Sequence, residues 1–369
     1  MKLLIALAVV AAVWVVFKRL DNRYHVGFLW RWLIMQIKKI KSNIIFYGEI
    51  EQMDSMRTAV CADLGAFRNP LQKIPDGIAT IVLMEDRSPE FFLGFEGYEP
   101  SSAVPLKEHG PFQDYNTQED LRILVQRLHE QGKKVLIGFW GFWGDEHSGP
   151  TEWLKRHPEL KPRQKDESDI GSPFAILEPE KVSFAEYIAG QYLKLQSAFG
   201  FDGLFLGDGL SGFRSFWHLE RYNDRASSAS QWSDFYRVVS EAVHKAEGEL
   251  WAYDCMGLDY EDAAKHGADY RLLAASGLDV LVFQSYPIAW ARYFKVPGKK
   301  GLAQDSANIR TLNRGMQGMN VRIYFTLEVG DPVEGWAVTK NNISRQVNAF
   351  QENADGKLIV WANDLLAEL

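Results

Sequence analysis

The chain has 369 residues, enough for one large barrel or two smaller domains. Its 46% hydrophobic and 24% charged content is that of a folded globular protein, which excludes a disordered or low-complexity chain. A formal net charge of −7 leaves no nucleic-acid footprint, and two cysteines, Cys61 and Cys255, are too few for a disulfide framework.

Leu3 to Phe17 is an unbroken apolar run between Lys2 and Lys18-Arg19. A comfortable membrane span needs about 20 residues, and no small-x-small cleavage site follows this run. Residues 1–20 therefore read as an uncleaved single-pass anchor or signal, in an inner or plasma membrane. Lys2 on one side and Lys18, Arg19 and Arg23 on the other pull its sidedness in opposite directions. An extracytoplasmic body is expected if the substrate is an external glycan. Residues 21–56 read as an amphipathic connection. Trp30 and Trp32 lie within an apolar stretch that Lys38, Lys39 and Lys41 follow, which suits a membrane interface or packing on the domain beyond.

From residue 57 to 369 short β-rich runs alternate with helical patterns, the signature of a parallel α/β protein. Strands are predicted at 58–63, 78–85, 134–140, 203–207, 249–254, 279–284, 321–327 and 357–361. Helices are predicted from Thr117 to Gly132, from Ser183 to Phe199, and within 229–247, 260–275 and 341–352. Eight strands with no internal linker indicate one (β/α)8 TIM barrel. An open doubly wound sheet would want a glycine-rich phosphate loop after the first strand, and none is there. The helix of residues 28–41 is expected to cover the gap left by the short C-terminus.

Acids close the strands: Asp63, Glu85, Asp208, Asp254 and Glu328 each follow a β-run. In a closed parallel barrel all strand C-termini share one face, so these carboxyls would gather at one mouth. Alternation places Tyr324, Thr326 and Glu328 inward, and the same reasoning groups Leu204 and Leu206 with Asp208, and Ala252 with Asp254, so that three acids are expected to aim at the axis. Twelve tryptophans add flat apolar surface, several of them in mouth segments, among them Trp140, Trp143 and Trp361. His147, His157 and His218 lack metal-ligand spacing, and no Gly-x-Ser-x-Gly elbow occurs. Neither a metal nor another cofactor is expected.

Three stretches carry a resemblance: Gly200-Phe201-Asp202-Gly203-Leu204-Phe205-Leu206-Gly207-Asp208 after Ile176-Leu177-Glu178-Pro179, the His157-Pro158-Glu159 segment, and Val282-Phe283-Gln284-Ser285-Tyr286. They resemble the fourth-strand region, the preceding His-Pro-Glu and the sixth-strand Gln-x-Tyr of TIM-barrel glycoside hydrolases. Many relatives have Asp where this chain has Gly207. The resemblance implies paired-carboxylate hydrolysis of a poly- or oligosaccharide. Asp208 would be nucleophile or base and Glu328 or Asp254 the proton donor, with the assignment open to inversion. Asp63, Glu85, Trp140, Trp143, Gln284, Tyr286 and Trp361 would hold the sugar. A barrel that binds glycan without cleaving it, in envelope polysaccharide assembly, is the alternative. The expected partners are thus a carbohydrate and a membrane, with no nucleic acid.

Overall fold

The computed structural model describes residues 58–63, 78–85, 118–139, 144–145, 149–150, 155–157, 175–178, 180–207, 225–254, 269–283, 310–327, 330–331, 336–337, 345–346, 348 and 358–361. The expected anchor of residues 1–20 and the connection of 21–56 lie outside them. Among the described residues no helix is long and apolar enough to cross a membrane.

Eight parallel strands form a closed barrel: β1 (Thr58–Asp63), β2 (Ile78–Glu85), β3 (Lys134–Phe139), β4 (Gly203–Leu206), β5 (Glu249–Asp254), β6 (Val280–Phe283), β7 (Arg322–Leu327) and β8 (Leu358–Trp361). They pair in chain order, and β8 closes the ring on β1. Among the described residues four helices pack outside: α1 (Gln118–Glu130), α2 (Phe184–Phe199), α3 (Arg225–Lys245) and α4 (Tyr270–Ala275). A further helical turn covers 310–315 ahead of β7. Every strand lies within one residue of its predicted bounds. Of the helix predicted within 260–275 only 270–275 is described, and of 341–352 only scattered positions.

The lumen is filled by Val82, Leu136, Phe205, Trp251, Tyr253, Val280, Val282 and Tyr324, a buried cluster drawn from six strands. Trp251 and Tyr324 meet edge to face at 5.1 Å although β6 lies between their strands, a contact open only to side chains on the inside. Phe283 points the other way and packs on Tyr270 of α4 at 4.9 Å. Tyr324 and Thr326 therefore occupy the interior face of β7, as alternation predicts. For β4 and β5 the predicted parity is reversed. Phe205, Trp251 and Tyr253 look inward, so Leu204, Leu206 and Ala252 take the helix-facing side. On these two strands the rings fill the narrow lumen, while Leu204, Leu206 and Ala252 pack outward under the helices.

The registers fix how the strands are staggered. The paired positions run from Asp63 to Met84, Gly138, Phe205, Trp251, Val280 and Arg322. Phe325 pairs Leu358, and Ile359 pairs Ala59, so the same row re-enters β1 eight residues nearer its N-terminus. Eight strands with a stagger of eight make the shear of a TIM barrel, in which each interior layer takes side chains from alternate strands.

The lowest layer shows this directly. Lys134, Glu249 and Arg322 open β3, β5 and β7, and they meet inside the barrel floor. Glu249 accepts from Lys134 Nζ at 2.5 Å, from Arg322 at 2.8 Å and from Trp251 Nε1 at 2.9 Å. Burial alone would raise the Glu249 carboxyl, but the bonds from Lys134, Arg322 and Trp251 outweigh it and hold the carboxyl below its ordinary range. Outside the same end, two parallel clamps fasten helix to strand. Asp202 accepts from Val135 N–H at 2.7 Å and hydrogen-bonds His129 of α1 at 2.9 Å. Asp279 repeats this with Leu250 N–H at 2.8 Å and His244 of α3 at 2.9 Å. Each follows a left-handed glycine by two residues, Gly200 (φ 78°) and Gly277 (φ 97°), which lets the chain reverse from helix to strand.

Because the folded-state carboxyl is lowered, Glu249 contributes its stability above the ordinary carboxylate range and loses it as pH falls through the folded value. Glu249→Gln is expected to cost about 2 kcal/mol near neutrality, since it leaves two cations facing each other without a counter-charge. It should also flatten the acid limb of stability against pH. Urea unfolding from pH 3 to 8 measures both, and an unchanged acid limb would show that the network does not act as described.

Candidate active site

The chemistry is expected at the opposite end, where the strands finish. Asp63, Glu85, Asp254 and Trp361 are the last residues of β1, β2, β5 and β8, so the ring brings four of the predicted site positions to one rim. Asp208, Glu328, Trp140, Trp143, Gln284 and Tyr286 lie outside the described residues.

Register divides the four rim positions between two faces. Asp63 pairs Met84, in the row that continues through Gly138 and Phe205, and so falls on the interior face. Trp361 pairs Cys61, which pairs Val82, and falls on the same face. Glu85 pairs Phe139, which pairs Leu206, on the helix-facing side. Asp254 pairs Phe283, whose ring packs on α4, so the inward direction expected for Asp254 is not the register that β5 takes. On β4 the ladder continues one residue past the strand, with Gly207 N–H donating to Phe139 O at 2.7 Å. Gly207 therefore follows Gly203 and Phe205 on the interior side. The inward place at the top of β4 is held by a glycine.

The floor of the mouth is asymmetric. Phe205 and Tyr253 pack at 6.2 Å between centroids, and Thr326 is fully buried with its hydroxyl 3.5 Å from the Phe283 carbonyl it donates to. On β3 and β4, Gly138 and Gly207 place no side chain in the interior, whereas β5 and β7 place the rings of Trp251, Tyr253 and Tyr324 there.

Other parts of the expected mouth play a packing role. His157 is buried and lies beside Tyr187 of α2, with ring centroids 6.2 Å apart. Among the described residues no group of three His, Cys, Asp or Glu could hold a metal. Two short hairpins, 144–145 with 149–150 and 176–177 with 182–183, punctuate the segment between β3 and α2. The second delivers Ser183, which caps α2. The Glu186 N–H donates to the Ser183 hydroxyl at 3.3 Å, while the Ser183 N–H and hydroxyl both donate to the Glu186 carboxylate. The Ser183-Phe184-Ala185-Glu186 spacing carries that signal in the sequence.

No family model and no curated protein matches the sequence. The solved structures it is similar to are mostly TIM-barrel glycoside hydrolases. An endo-1,4-β-D-mannanase from Thermotoga petrophila is 13% identical with a TM-score of 0.48, over 83% of this chain and 88% of that one. Catalytic domain 2 of a group II chitinase from Ostrinia furnacalis is 14% identical with a TM-score of 0.45, over 74% and 64%. An α-amylase from Lactobacillus plantarum is 13% identical with a TM-score of 0.46, over 85% and 72%. A morphinone reductase has the same 13% identity with a TM-score of 0.45, over 82% of each chain. Likenesses of this size select no chemistry, and the site has to be argued from its own residues.

Tyr253 stands at the boundary between packed lumen and open mouth. Tyr253→Ala is expected to cost about 3–5 kcal/mol, as truncation of a buried ring does. Denaturant unfolding checks it, and a cost below about 1 kcal/mol would mean the floor is not packed around this ring.

Proposed function

We propose that the chain is a glycoside hydrolase acting on a poly- or oligosaccharide in the mouth of the barrel. The observation that carries the proposal is the rim itself: the closed ring brings the strand-ending Asp63, Glu85, Asp254 and Trp361 to one end of the barrel, above an aromatic floor. The Gln284, Tyr286 and fourth-strand resemblances favour sugar over other amphipathic ligands.

Hydrolysis of a glycosidic bond needs two carboxyl groups, one protonated and one ionised. Glu328 follows Leu327 directly and continues the alternation of Tyr324 and Thr326, so it is proposed as one of the two. Asp254 has the helix-facing register, and Asp208 follows the interior Gly207. Both are better suited to shaping the rim than to meeting the scissile bond. Trp140, Trp143, Gln284, Tyr286 and Trp361 would stack on and hydrogen-bond the sugar. The apolar run of residues 3–17 would tether the enzyme to a membrane.

Gly207 favours a second reading. With no acid at the inward place on β4, the barrel could hold a glycan without cutting it. Incubation of the full-length chain in mild detergent with a panel of β- and α-linked glycans separates the two readings, because a binder releases no reducing ends. For the enzyme, Glu328→Gln is expected to lower kcat by about a thousandfold or more with unfolding unchanged. Near-normal turnover in that variant would remove Glu328 from the chemistry. Deletion of residues 3–17 is expected to move the protein from the membrane pellet to the supernatant after alkaline extraction. A full-length chain that already partitions to the supernatant would contradict the tether.

A further inference from the structure

We infer that α1–β4 and α3–β6 are two copies of one latched unit, and that a strained hinge at Glu247 governs how readily the base of β5 opens. Both statements are independent of the chemistry in the mouth.

The two units match position by position. Where α1 ends, Gly132 N–H donates to His129 O at 2.8 Å and Lys133 N–H to Leu128 O at 3.0 Å. Where α3 ends, Glu247 N–H donates to His244 O at 2.9 Å and Gly248 N–H to Val243 O at 2.9 Å. Two residues after each turn position stands a charge of the barrel floor, Lys134 in the first unit and Glu249 in the second. One residue further, Val135 N–H and Leu250 N–H donate to the carboxylates of Asp202 and Asp279, which also bond His129 and His244. The Asp202 and Asp279 carbonyls accept from Glu249 N–H and Arg322 N–H, both at 3.0 Å. Each aspartate therefore latches the first strand of its own unit with its side chain and holds the strand that follows the unit with its backbone.

The copies differ at the hinge. Both turn positions are left-handed, with φ 71° at Gly132 and φ 59° at Glu247. Glycine adopts that conformation freely, whereas a residue with a Cβ is strained there. In the second unit the glycine stands one place later, at Gly248, for a packing reason. A Cβ at 248 would run into the buried Tyr192 hydroxyl of α2 and lie 3.2 Å from Val243 Cγ1. At Gly132 nothing stands within 4 Å of an added Cβ, so glycine there serves the backbone conformation. The second unit's glycine provides clearance instead, and the left-handed position falls to an exposed glutamate. β5 thus leaves its helix through a turn that favours release, and the Asp279 latch on Leu250 opposes it. The same strand runs on to Tyr253 in the lumen, so the hinge lies at the base of a wall that lines the mouth floor.

Amide hydrogen exchange of Val135 and Leu250, read by NMR on the full-length chain in mild detergent, tests the hinge and the latches. Glu247→Gly is expected to slow exchange at Leu250 about threefold, by relief of one strained residue, and to leave Val135 unchanged. Asp279→Ala should speed Leu250 about tenfold or more with Val135 unaffected, and Asp202→Ala should do the reverse. Gly132→Ala, which puts the same strain into the first unit, should speed Val135 alone. Exchange at Leu250 that Glu247→Gly leaves unchanged or makes faster overturns the hinge. If Asp202→Ala and Asp279→Ala each speed both amides alike, the wall opens as a whole and the separate latches are overturned. Should an alanine variant fail to fold, Asp202→Asn and Asp279→Asn, which keep an acceptor oxygen without the charge, carry the same test with a smaller change.

Discussion

Closure of the ladder between β1 and β8 is the constraint on which everything else in this molecule depends. Once the ring closes with a stagger of eight, no strand can slip without turning its whole interior set outward. The ion layer, the aromatic lumen and the rim are then three heights of one lattice. Charged side chains at the first positions of β3, β5 and β7 lock that lattice from below, so the upper end is free to carry glycines and strand-ending acids.

The two ends divide stability from chemistry. The bottom holds the Lys134–Glu249–Arg322 network and the paired Asp202 and Asp279 clamps, each of which ties a helix C-terminus to the strand that follows it. Towards the top, Gly138 and Gly207 place no side chain in the interior, and the rings of Phe205 and Tyr253 seal the floor. Conformational precision in the mouth comes from below it, through strands that cannot shift relative to one another.

The strands were legible because each is a short apolar run bounded by charged or turn-forming residues, and so was their number, from which the barrel follows. Interior parity was legible only on β7, where polar Tyr324 and Thr326 alternate with Ile323, Phe325 and Leu327. On β4 and β5 both faces are buried, and Leu204 and Phe205 or Trp251 and Ala252 are equally apolar, so alternation carries no sign. Only the contacts show that the rings go in. That reversal gives Asp254, which pairs the helix-facing Phe283, a register that alternation did not indicate. The floor network had a signal too. Lys134, Glu249 and Arg322 each open a strand, and the three strands alternate round the ring, but each alone reads as a solvated end.

The separation of Glu328 from the other rim carboxyls in a crystal structure tests the central claim most directly. Carboxyl groups about 5–5.5 Å apart, or about 6.5–9.5 Å apart with room for a water, are the spacings a retaining or an inverting glycosidase requires. The account predicts one of these between Glu328 and a second rim carboxyl. Carboxyls on opposite faces of the barrel wall, or well beyond that range, would contradict it.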